Sequence, residues 1–459
     1  ASSLSFVQAI SWMWRKPLRP CGHASVIILI SLCYAPFAIA DNKFNVRQYG
    51  ARGDGKTDDT HAFEAAVLAV EKAGGGTIIV PTGGIYLIRP INLTSSLDLY
   101  IQGGAKVIGM ADRKLWPIIP PAPSYGQGRD FGRFSRRYTS LLHGEHLSDI
   151  TIRGDGNSSI LDGQGAYWWH GWRQLLKHTR GHLIEFMYSR NIKIHHITMR
   201  DSPFWNNHFL DCDGVHVHHV SIEAPQYSDN TDGWDPDSSR NVLIENSWYS
   251  GGDDCVAIKS GWDCFGVHYG KPSVNITIRN LTCHGRFAGI AVGSEMSGGI
   301  DNVLVSNIRF TLANCPAHIK TGASRGGYVT NVRYENISVE GNINYGIYVD
   351  ARYPNPNPSC PRGWTPPTSR MVNYSFVNFD GRAAKVQSSV FHFRGFRNKP
   401  IEGVYLENVH FPTRDTHDWY CSAVSGTVKN GTVEPGPAGQ ACDALRPITK
   451  LDPIRQVRV

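Results

Sequence analysis

The chain has few of the signals that mark a metal-dependent fold, a nucleic-acid-binding protein or a helical protein. No Cys-x-x-Cys pair and no His/Cys cluster has the spacing of a zinc site. Dense Lys/Arg runs and helix-turn-helix spacing are also absent, which argues against nucleic acid as a partner. Helical periodicity is confined to one short stretch, so an all-β fold is expected.

What the 459 residues do contain is glycine and apolar residues in short runs. There are 47 glycines, and 41% of the residues are hydrophobic, which suits many short strands joined by turns. The formal net charge of +7 suits a polyanionic partner without identifying it.

The first forty residues have the pattern of a secretory signal. Arg15, Lys16 and Arg19 precede an apolar run from Ala24 to Ala40. This run ends in a small-x-small pattern, but it is short for a membrane-spanning helix. Residues 1–40 are therefore predicted to be a signal peptide, with an uncleaved signal anchor as the alternative. No stable membrane span is expected in the mature protein.

Cysteines and glycosylation sequons agree with export. Asn-x-Ser/Thr sequons and an even number of later cysteines predict a secreted, extracellular glycoprotein with disulfides. The sequons are at Asn92, Asn157, Asn275, Asn280, Asn336, Asn373 and Asn430. The eight cysteines after residue 41 are Cys212, Cys255, Cys264, Cys283, Cys315, Cys360, Cys421 and Cys442. Cys255 and Cys283 are one candidate pair; spacing alone leaves other pairings open.

A repeated strand phrase predicts the architecture. A polar or glycine residue followed by alternating apolar residues, as in Asn191-Ile-Lys-Ile, returns every 23 to 34 residues in the centre of the chain. Such phrases start at Asp149, Asn191, Gly214, Asn241, Asn275, Asn302, Asn331 and Gly403. Residues 41–459 are therefore predicted to form a single right-handed parallel β-helix. A helix from about Thr57 to Ala73, with Phe63, Val67 and Val70 on its apolar face, is expected to cap the first coil.

Three aspartates are predicted to meet on neighbouring coils. Asp232 precedes Asp253 by 21 residues, which is close to one coil, and Asp254 follows directly. Residues one coil apart lie roughly 4.8 Å apart in a parallel sheet. Crowding of this kind forces at least one carboxyl to keep its proton, as a general acid requires, while the ionised acids can activate a water molecule. This division of roles is that of inverting glycoside hydrolysis, in which acid and base are usually about 6.5–9.5 Å apart.

The acidic residues of this region also have other interpretations. Asp-Gly and Gly-Asp pairs also form turns, and this is the favoured interpretation for Asp235 and Asp237. Calcium binding by the cluster ranks second to proton chemistry because few further acids lie nearby; no metal and no cofactor is predicted. For Lys259, a place on the outer face of the solenoid is at least as well supported as a place in the site.

The acidic phrases resemble those of a known family. Asn230-Thr231-Asp232, Gly252-Asp253-Asp254 and Gly293-Ser294-Glu295-Met296-Ser297-Gly298-Gly299 are similar to motifs of the polygalacturonases of glycoside hydrolase family 28, in particular its plant and bacterial branch. The resemblance runs from about Phe44 to Cys421. It implies a hydrolase of the α-1,4-galacturonosyl linkages of pectin, active as a monomer at the plant cell wall, with pectic polysaccharide as its partner.

The resemblance also implies roles for individual residues. Asp253 matches the general acid, and Asp232 and Asp254 match the pair that holds the attacking water. Lys320 matches a lysine that binds the substrate carboxylate, and Tyr353 a substrate-contacting tyrosine. Asn230, in the Asn-Thr-Asp phrase, is taken as a further substrate-binding residue.

Two positions depart from the family pattern. Ala288 stands where the family has a histidine, and His318 stands where it has an arginine; nearby His284 is interpreted as a loop residue. If His318 helps Lys320 to hold a carboxylate, substrate affinity should fall as pH rises through the titration of this histidine.

With Ala288 and His318 in place of the family's histidine and arginine, fewer positive charges are available to bind an anionic sugar, and several functions are compatible with the sequence. A hydrolase for rhamnogalacturonan or xylogalacturonan is one alternative, and a calcium-dependent pectate lyase or a catalytically inactive pectin-binding protein are others. Within the polygalacturonase interpretation, exo action is favoured because residues 116–138 and 262–273 are long enough to close one end of a cleft.

Overall fold

The computed structural model describes residues 42–127, 136–354, 360–412, 418–437, 442 and 444–448. The predicted signal segment, residues 1–40, lies outside this part of the chain. Among the described residues, no helix is long and apolar enough to cross a membrane.

Helices are few and short. The α-helices are α1 Thr60–Lys72, α2 Ala166–Trp169, α3 Trp172–Leu175 and α4 Asp263–Tyr269, and 3-10 turns cover Val46–Tyr49 and Arg113–Leu115.

Short strands dominate the first half of the chain. They are β1 Lys43–Asn45, β2 Asp54–Asp58, β3 Gly76–Val80, β4 Ile85–Ile88, β5 Ile91–Asn92, β6 Leu97–Ile101, β7 Lys106–Gly109, β8 Ile118–Ile119, β9 Arg137–Tyr138, β10 Leu142–Glu145, β11 Ser148–Gly154, β12 Ile160–Asp162, β13 Ile184–Met187, β14 Arg190–Arg200, β15 Asn207–Leu210 and β16 Asp213–Glu223.

Longer strands that bend around the corners of the solenoid follow in the second half. They are β17 Trp234–Asp237, β18 Arg240–Gly251, β19 Val256–Ile258, β20 Ser273–Gly285, β21 Ala288–Val292, β22 Ile300–Leu312, β23 Cys315–Lys320, β24 Tyr328–Asp350, β25 Arg370–Arg394, β26 Ile401–His410, β27 Trp419–Ser422, β28 Val424–Lys429, β29 Val433–Glu434 and β30 Leu445–Ile448.

These strands stack as the coils of a parallel β-helix. All of them except β8 and β9, which pair antiparallel, belong to one sheet of 28 parallel strands. One face of each coil, here called the site sheet, is formed by β5, β10, β13, β15, β17, β19, β21 and β23, the ends of β24 and β25, and β27. The crossovers have the right-handed sense that parallel connections prefer. The predicted fold is confirmed.

The repeated phrases form the interior ladder of the helix. Their first apolar residues pair from coil to coil, and each is buried: Ile150, Ile192, Val215, Val242, Ile276, Val303, Val332, Tyr374 and Val404. All eight phrases named from the sequence lie in strands of this ladder. A ninth, beginning at Asn373, was missed because Tyr374 and Phe376 replace the aliphatic residues.

The polar or glycine residue at the start of each repeated phrase lies at a corner of the solenoid, where the chain changes direction. Asn191, Asn241, Asn275 and Asn302 have φ between 53° and 58°, a left-handed conformation that asparagine tolerates, and Gly214 takes the same place with φ 75°. Their side chains also form a ladder: Asn302 Nδ2 donates to Asn275 Oδ1 at 2.8 Å. Four of the seven sequon asparagines lie in this ladder or a second one like it: Asn275, Asn280, Asn336 and Asn373.

Helix α1 lies at the N-terminal end of the solenoid, where it packs against β1, β3 and β5. It begins at Thr60, three residues later than predicted. Asp59 accepts hydrogen bonds from the backbone N–H groups of Arg52 and Gly53 and does not cap the helix with its side chain. Phe63, Val67 and Val70 are buried, as predicted.

Six of the eight cysteines are paired. The candidate pair Cys255–Cys283 is present, together with Cys264–Cys360 and Cys421–Cys442. Cys212 and Cys315 are buried thiols.

Candidate active site

The site sheet brings the three aspartates together. Asp232 comes two residues before β17, and Asp254 two residues before β19 on the next coil; Gly233 N–H donates to Asp254 O at 3.1 Å. One carboxylate oxygen from each of Asp232, Asp253 and Asp254 lies within 4.8 Å of the others. The predicted cluster is therefore present.

Each carboxyl has a different set of partners. Asp254 is held on both oxygens: Oδ1 accepts from Ala288 N–H at 3.0 Å, and Oδ2 accepts from Lys320 Nζ at 2.8 Å. Asp253 Oδ2 accepts from Asn230 Nδ2 at 3.2 Å. Asp232 Oδ1 is buried and has no hydrogen-bond partner among the described residues. Asp253 is half-buried, whereas Asp232 and Asp254 are each 3% exposed, so Asp253 is the acid most open to a substrate.

Crowding keeps protons in this cluster. Desolvation, followed by repulsion from Asp232 and then Asp254, raises the pKa of Asp253 well above its usual range. Desolvation and repulsion from Asp235 do the same for Asp232, although Lys259 opposes the shift. A carboxyl that stays protonated in mild acid can act as a general acid.

Lys259 is part of the site, and the interpretation of it as an outer-face residue is wrong. It is buried, with Nζ 3.4 Å from Asp235 Oδ1, 3.6 Å from Glu295 Oε2 and 3.9 Å from Asp232 Oδ2. Burial alone would lower its pKa, but these acids outweigh burial and the pKa is raised. Its Nζ also lies 4.3 Å from the centroid of the Trp205 ring.

Asp235 and Asp237 are strand residues, so their interpretation as turn formers is wrong. Both lie in β17 and are fully buried. Desolvation raises the pKa of Asp235 well above its usual range despite Lys259. Asp237 Oδ2 accepts from Tyr125 OH at 2.7 Å, and His208 Nε2 lies 3.3 Å from the same oxygen. The prediction failed because Asp-Pro-Asp is a common turn sequence, and only the stacking of coils places it in a strand.

Lys320, His318 and Tyr353 lie together on the C-terminal side of the acids. Burial would lower the pKa of Lys320, but Asp254 outweighs it and the pKa is raised. Lys320 Nζ is 5.4 Å from the Tyr353 ring centroid. The His318 ring stacks on Tyr348 at 4.7 Å between centroids, and burial, then Lys320, lowers its pKa well below the usual value. His318 is therefore neutral here, unlike the acid-charged histidine expected from the sequence.

Asn230 is positioned by an arginine that the sequence did not reveal. Arg180 is fully buried, and its Nη2 donates to Asn230 Oδ1 at 2.8 Å while Asn230 Nδ2 reaches Asp253. Arg180 lies over the rings of Trp172 and Phe204, with its Cζ 4.4 and 4.8 Å from their centroids. A single arginine 50 residues upstream has no recognisable motif, so only the fold identifies it.

The two positions near the altered motif have structural roles. Ala288 is buried, and its backbone N–H, which needs no particular side chain, holds Asp254. His284 lies in β20, not in a loop, and its Nδ1 is 2.9 Å from Thr311 Oγ1. His284 is thus tied to a neighbouring coil.

The acid cluster is also the place where a cation would bind. Carboxylate oxygens are ligands that calcium prefers. However, Lys320 and Lys259 already supply positive charge to Asp254, Asp232 and Asp235. We therefore favour proton chemistry over metal binding at these three aspartates.

Segments from earlier in the chain contact the site sheet. Tyr125 OH donates to Asp237 Oδ2 of β17 at 2.7 Å, and Arg137 Nη1 donates to Glu185 Oε2 of β13 at 2.6 Å. Glu185 and His208 are buried. On the C-terminal side of the acids, His318 and Lys320 are buried as well, whereas Tyr420 of β27, farther along the sheet, is 45% exposed.

A parallel β-helix with clustered carboxyls beside lysines on an open sheet defines a polysaccharide-cleaving glycoside hydrolase. The sequence matches the family "Glycosyl hydrolases family 28" over residues 131–432. The chain therefore belongs to glycosyl hydrolase family 28. Residues 43–109 also match "Rhamnogalacturonase A/epimerase, pectate lyase-like".

Relatives and solved structures agree with this family. The chain is 36% identical over 424 residues to a "Probable polygalacturonase" of Vitis vinifera, with 89% of this chain and 82% of the relative covered. An exopolygalacturonase structure from Thermotoga maritima superposes with a TM-score of 0.69 and 25% identity, covering 81% of this chain and 87% of that one. The polygalacturonase structure from Erwinia carotovora, at 23% identity and TM-score 0.64, covers 82% of this chain and 94% of that one and shows the shared fold.

Proposed function

We propose that this glycoside hydrolase cleaves the α-1,4-galacturonosyl linkages of pectin by inversion, with exo action. The observation that carries the proposal is the cluster of Asp232, Asp253 and Asp254 on adjacent coils, with Lys320 beside it to meet an anionic sugar. The polygalacturonase names of the relatives support the choice of pectin as the substrate.

The contacts of the three aspartates support a separate role for each in this proposal. Asp253, protonated and the most open, donates its proton to the glycosidic oxygen as the bond to the anomeric carbon breaks. Asp254, fixed by Lys320 and Ala288, accepts the proton of a water molecule that Asp232 helps to hold, as the water oxygen bonds to that carbon. Asn230, held by Arg180, fixes the direction of the Asp253 carboxyl.

The closed N-terminal side of the cleft supports exo action. A polymer that threads past the acids needs open sheet on both sides. Tyr125, which packs on Trp262, instead contacts Asp237 of β17, and Arg137 contacts Glu185 of β13, so these segments lie over strands that precede β19. The chain end would then stop at this cover and the rest of the polymer would leave over the C-terminal coils. This extends the sequence argument, in which only loop length favoured closure.

We further propose that the protein is a monomer secreted to the cell wall. The signal-like residues 1–40, the sequons and the disulfides support this location. Rhamnogalacturonan or xylogalacturonan hydrolysis remains the second candidate, because neutral His318 adds no positive charge beside Lys320.

Product analysis on polygalacturonate tests the proposal. Chromatography of the digest, with and without a chelator, should show saturated galacturonate monomer from the start and no effect of the chelator. Early oligomers would contradict exo action, and chelator-sensitive unsaturated products would indicate a lyase. Cleavage of rhamnogalacturonan or xylogalacturonan alone would select the second candidate.

A further inference from the structure

Five histidines lie close together on two neighbouring coils, away from the site sheet. His195 and His196 belong to β14, and His216, His218 and His219 belong to β16. His195 pairs with His218 in the parallel register, so two His-His dipeptides are stacked one coil apart. Neither the acid chemistry nor the core uses these side chains.

The rings of this histidine cluster contact one another closely. The His195 and His218 rings stack at 4.8 Å between centroids, as do those of His196 and His219. Within each dipeptide the two Nδ1 atoms are 2.9 Å apart. Such a contact requires one ring to donate its N–H to the other, so a single proton lies between two nitrogens that could both bind a cation.

Three of these residues meet the geometric requirement for a metal site. One ring nitrogen from each of His196, His218 and His219 lies within 4.8 Å of the other two. Zinc binds imidazole nitrogen at about 2.0–2.1 Å, so modest rotation of the rings brings all three nitrogens to one ion. His219 is exposed and His218 half-buried, so an ion can reach them from solvent.

The charges around the cluster do not oppose a cation. Arg153, on the coil before, is paired with Asp98, and Arg279, two coils after His218, is paired with Glu245. Glu245 lies opposite His218 on the next coil and is 2.9 Å from His216 Nε2, so its negative charge lies next to the cluster. Lys193 is opposite His216 in the same register.

We propose that His196, His218 and His219 form a binding site for a divalent transition-metal ion such as zinc, copper or nickel. Imidazole suits these ions, whereas calcium and magnesium prefer oxygen ligands. The bound ion joins β14 to β16, and the proton shared between the Nδ1 atoms of His218 and His219 moves to Nε2 of the ring that carried it. This inference is independent of the proposed function, because the cluster is not on the site sheet.

Calorimetric titration of zinc into the full chain tests the site. The protein is prepared without a histidine tag and stripped with a chelator, and calcium is titrated in parallel. We expect one saturable zinc site per chain and a higher Tm with zinc than without it. The double variant His196→Asn/His219→Asn should weaken zinc binding by at least the roughly 10–100-fold that loss of an outer-shell partner costs, and its Tm should no longer respond to zinc.

Asparagine is the matched substitution for these positions. His196 and His219 have φ of 53° and 52°, and Asn246 takes the same corner one coil later with φ 48°. The variants should therefore fold. Their activity on polygalacturonate measures correct folding separately from zinc binding. His268→Asn, an exposed histidine on α4, is the control and should bind zinc like the parent. Unchanged zinc binding in the double variant, or parent binding no tighter for zinc than for calcium, would overturn the proposal.

Discussion

At the scale of single residues, the site holds more carboxyls than its lysines can neutralise. Two buried ammonium groups, Lys259 and Lys320, face five carboxyls. These are Asp232, Asp235, Asp253, Asp254 and Glu295. Protonation of some of these carboxyls relieves the excess negative charge, so the site can supply a proton to the substrate.

Asp253→Asn should remove nearly all hydrolysis. The amide keeps the shape of the side chain and its contact with Asn230 but has no proton to give, and general acid catalysis typically contributes about 10²–10⁴-fold in rate. We expect kcat to fall by that factor while oligomer binding and Tm are retained. The matched control is Asp149→Asn, at an exposed corner where other coils carry asparagine. Activity of Asp253→Asn within a few-fold of the control would refute the assignment.

Asp232→Asn should stabilise the protein at neutral pH while it inactivates the enzyme. Because the folded pKa of Asp232 is raised, its contribution to stability is fully present below the unfolded pKa and is lost as pH rises through the folded pKa. The neutral amide does not lose this contribution, so we expect a gain on the order of 0.5–2 kcal/mol that grows with pH. Thermal unfolding from mild acid to neutral pH measures it. A variant less stable than the parent at neutral pH would show that folding favours the ionised form of Asp232, so that its pKa is not raised.

The charge of His318 could not be predicted from the sequence. The sequence left open whether His318 is a carboxylate ligand that is charged only in acid, whereas in the structure burial, followed by Lys320, lowers its pKa. Burial cannot be read from neighbours in the chain. His318→Gln should therefore leave the pH dependence of KM unchanged between about pH 5 and 7, where an unperturbed histidine would titrate. Flattening of that dependence in steady-state kinetics would show that His318 is charged after all.

Residues that support the aspartates through their contacts also could not be predicted from the sequence. The acids themselves were predictable, because Asp232 and Asp253 are one coil apart in a repeat of known period. Lys259 and Arg180 were not predictable. Lys259 follows a buried strand that has no motif of its own, and Arg180 reaches the site through Asn230.

At the scale of elements, the strands were predictable because each coil repeats one local pattern. An asparagine or glycine turns the corner, and alternating apolar residues then face the interior. The coil that begins at Asn373 was not predicted because the residues that face its interior are aromatic. The long loops were recognised only as insertions, and their contacts with distant strands depend on side chains such as Tyr125 that carry no pattern.

The corner position gives a test of this pattern. Asn302 has φ 55°, donates to Asn275 and is half-buried. Asn302→Ala loses this hydrogen bond and forces alanine into the left-handed region, at a cost of roughly 1–2 kcal/mol for the conformation alone. Asn302→Gly keeps the conformation accessible, as Gly214 does, and should destabilise less. Chemical denaturation of both variants measures the order; equal losses would mean that the backbone conformation does not matter there.

At the scale of the whole molecule, the solenoid alone does not explain the proposed exo action. A bare β-helix would expose the site sheet along its length. The segment of residues 116–127, with Trp262 before α4, covers the coils N-terminal to the acids, while Tyr420 stays exposed at the other end. The family and fold were accessible from motifs and repeats, whereas this asymmetry required the structure.

Proton NMR of the first products released from polygalacturonate tests the account most directly. Hydrolysis by inversion at a closed cleft predicts saturated galacturonate monomer that appears first as the β anomer, because the linkage cleaved is α. It then equilibrates with the α anomer in solution. Initial release of the α anomer, of oligosaccharides, or of a product with an unsaturated ring would contradict the account.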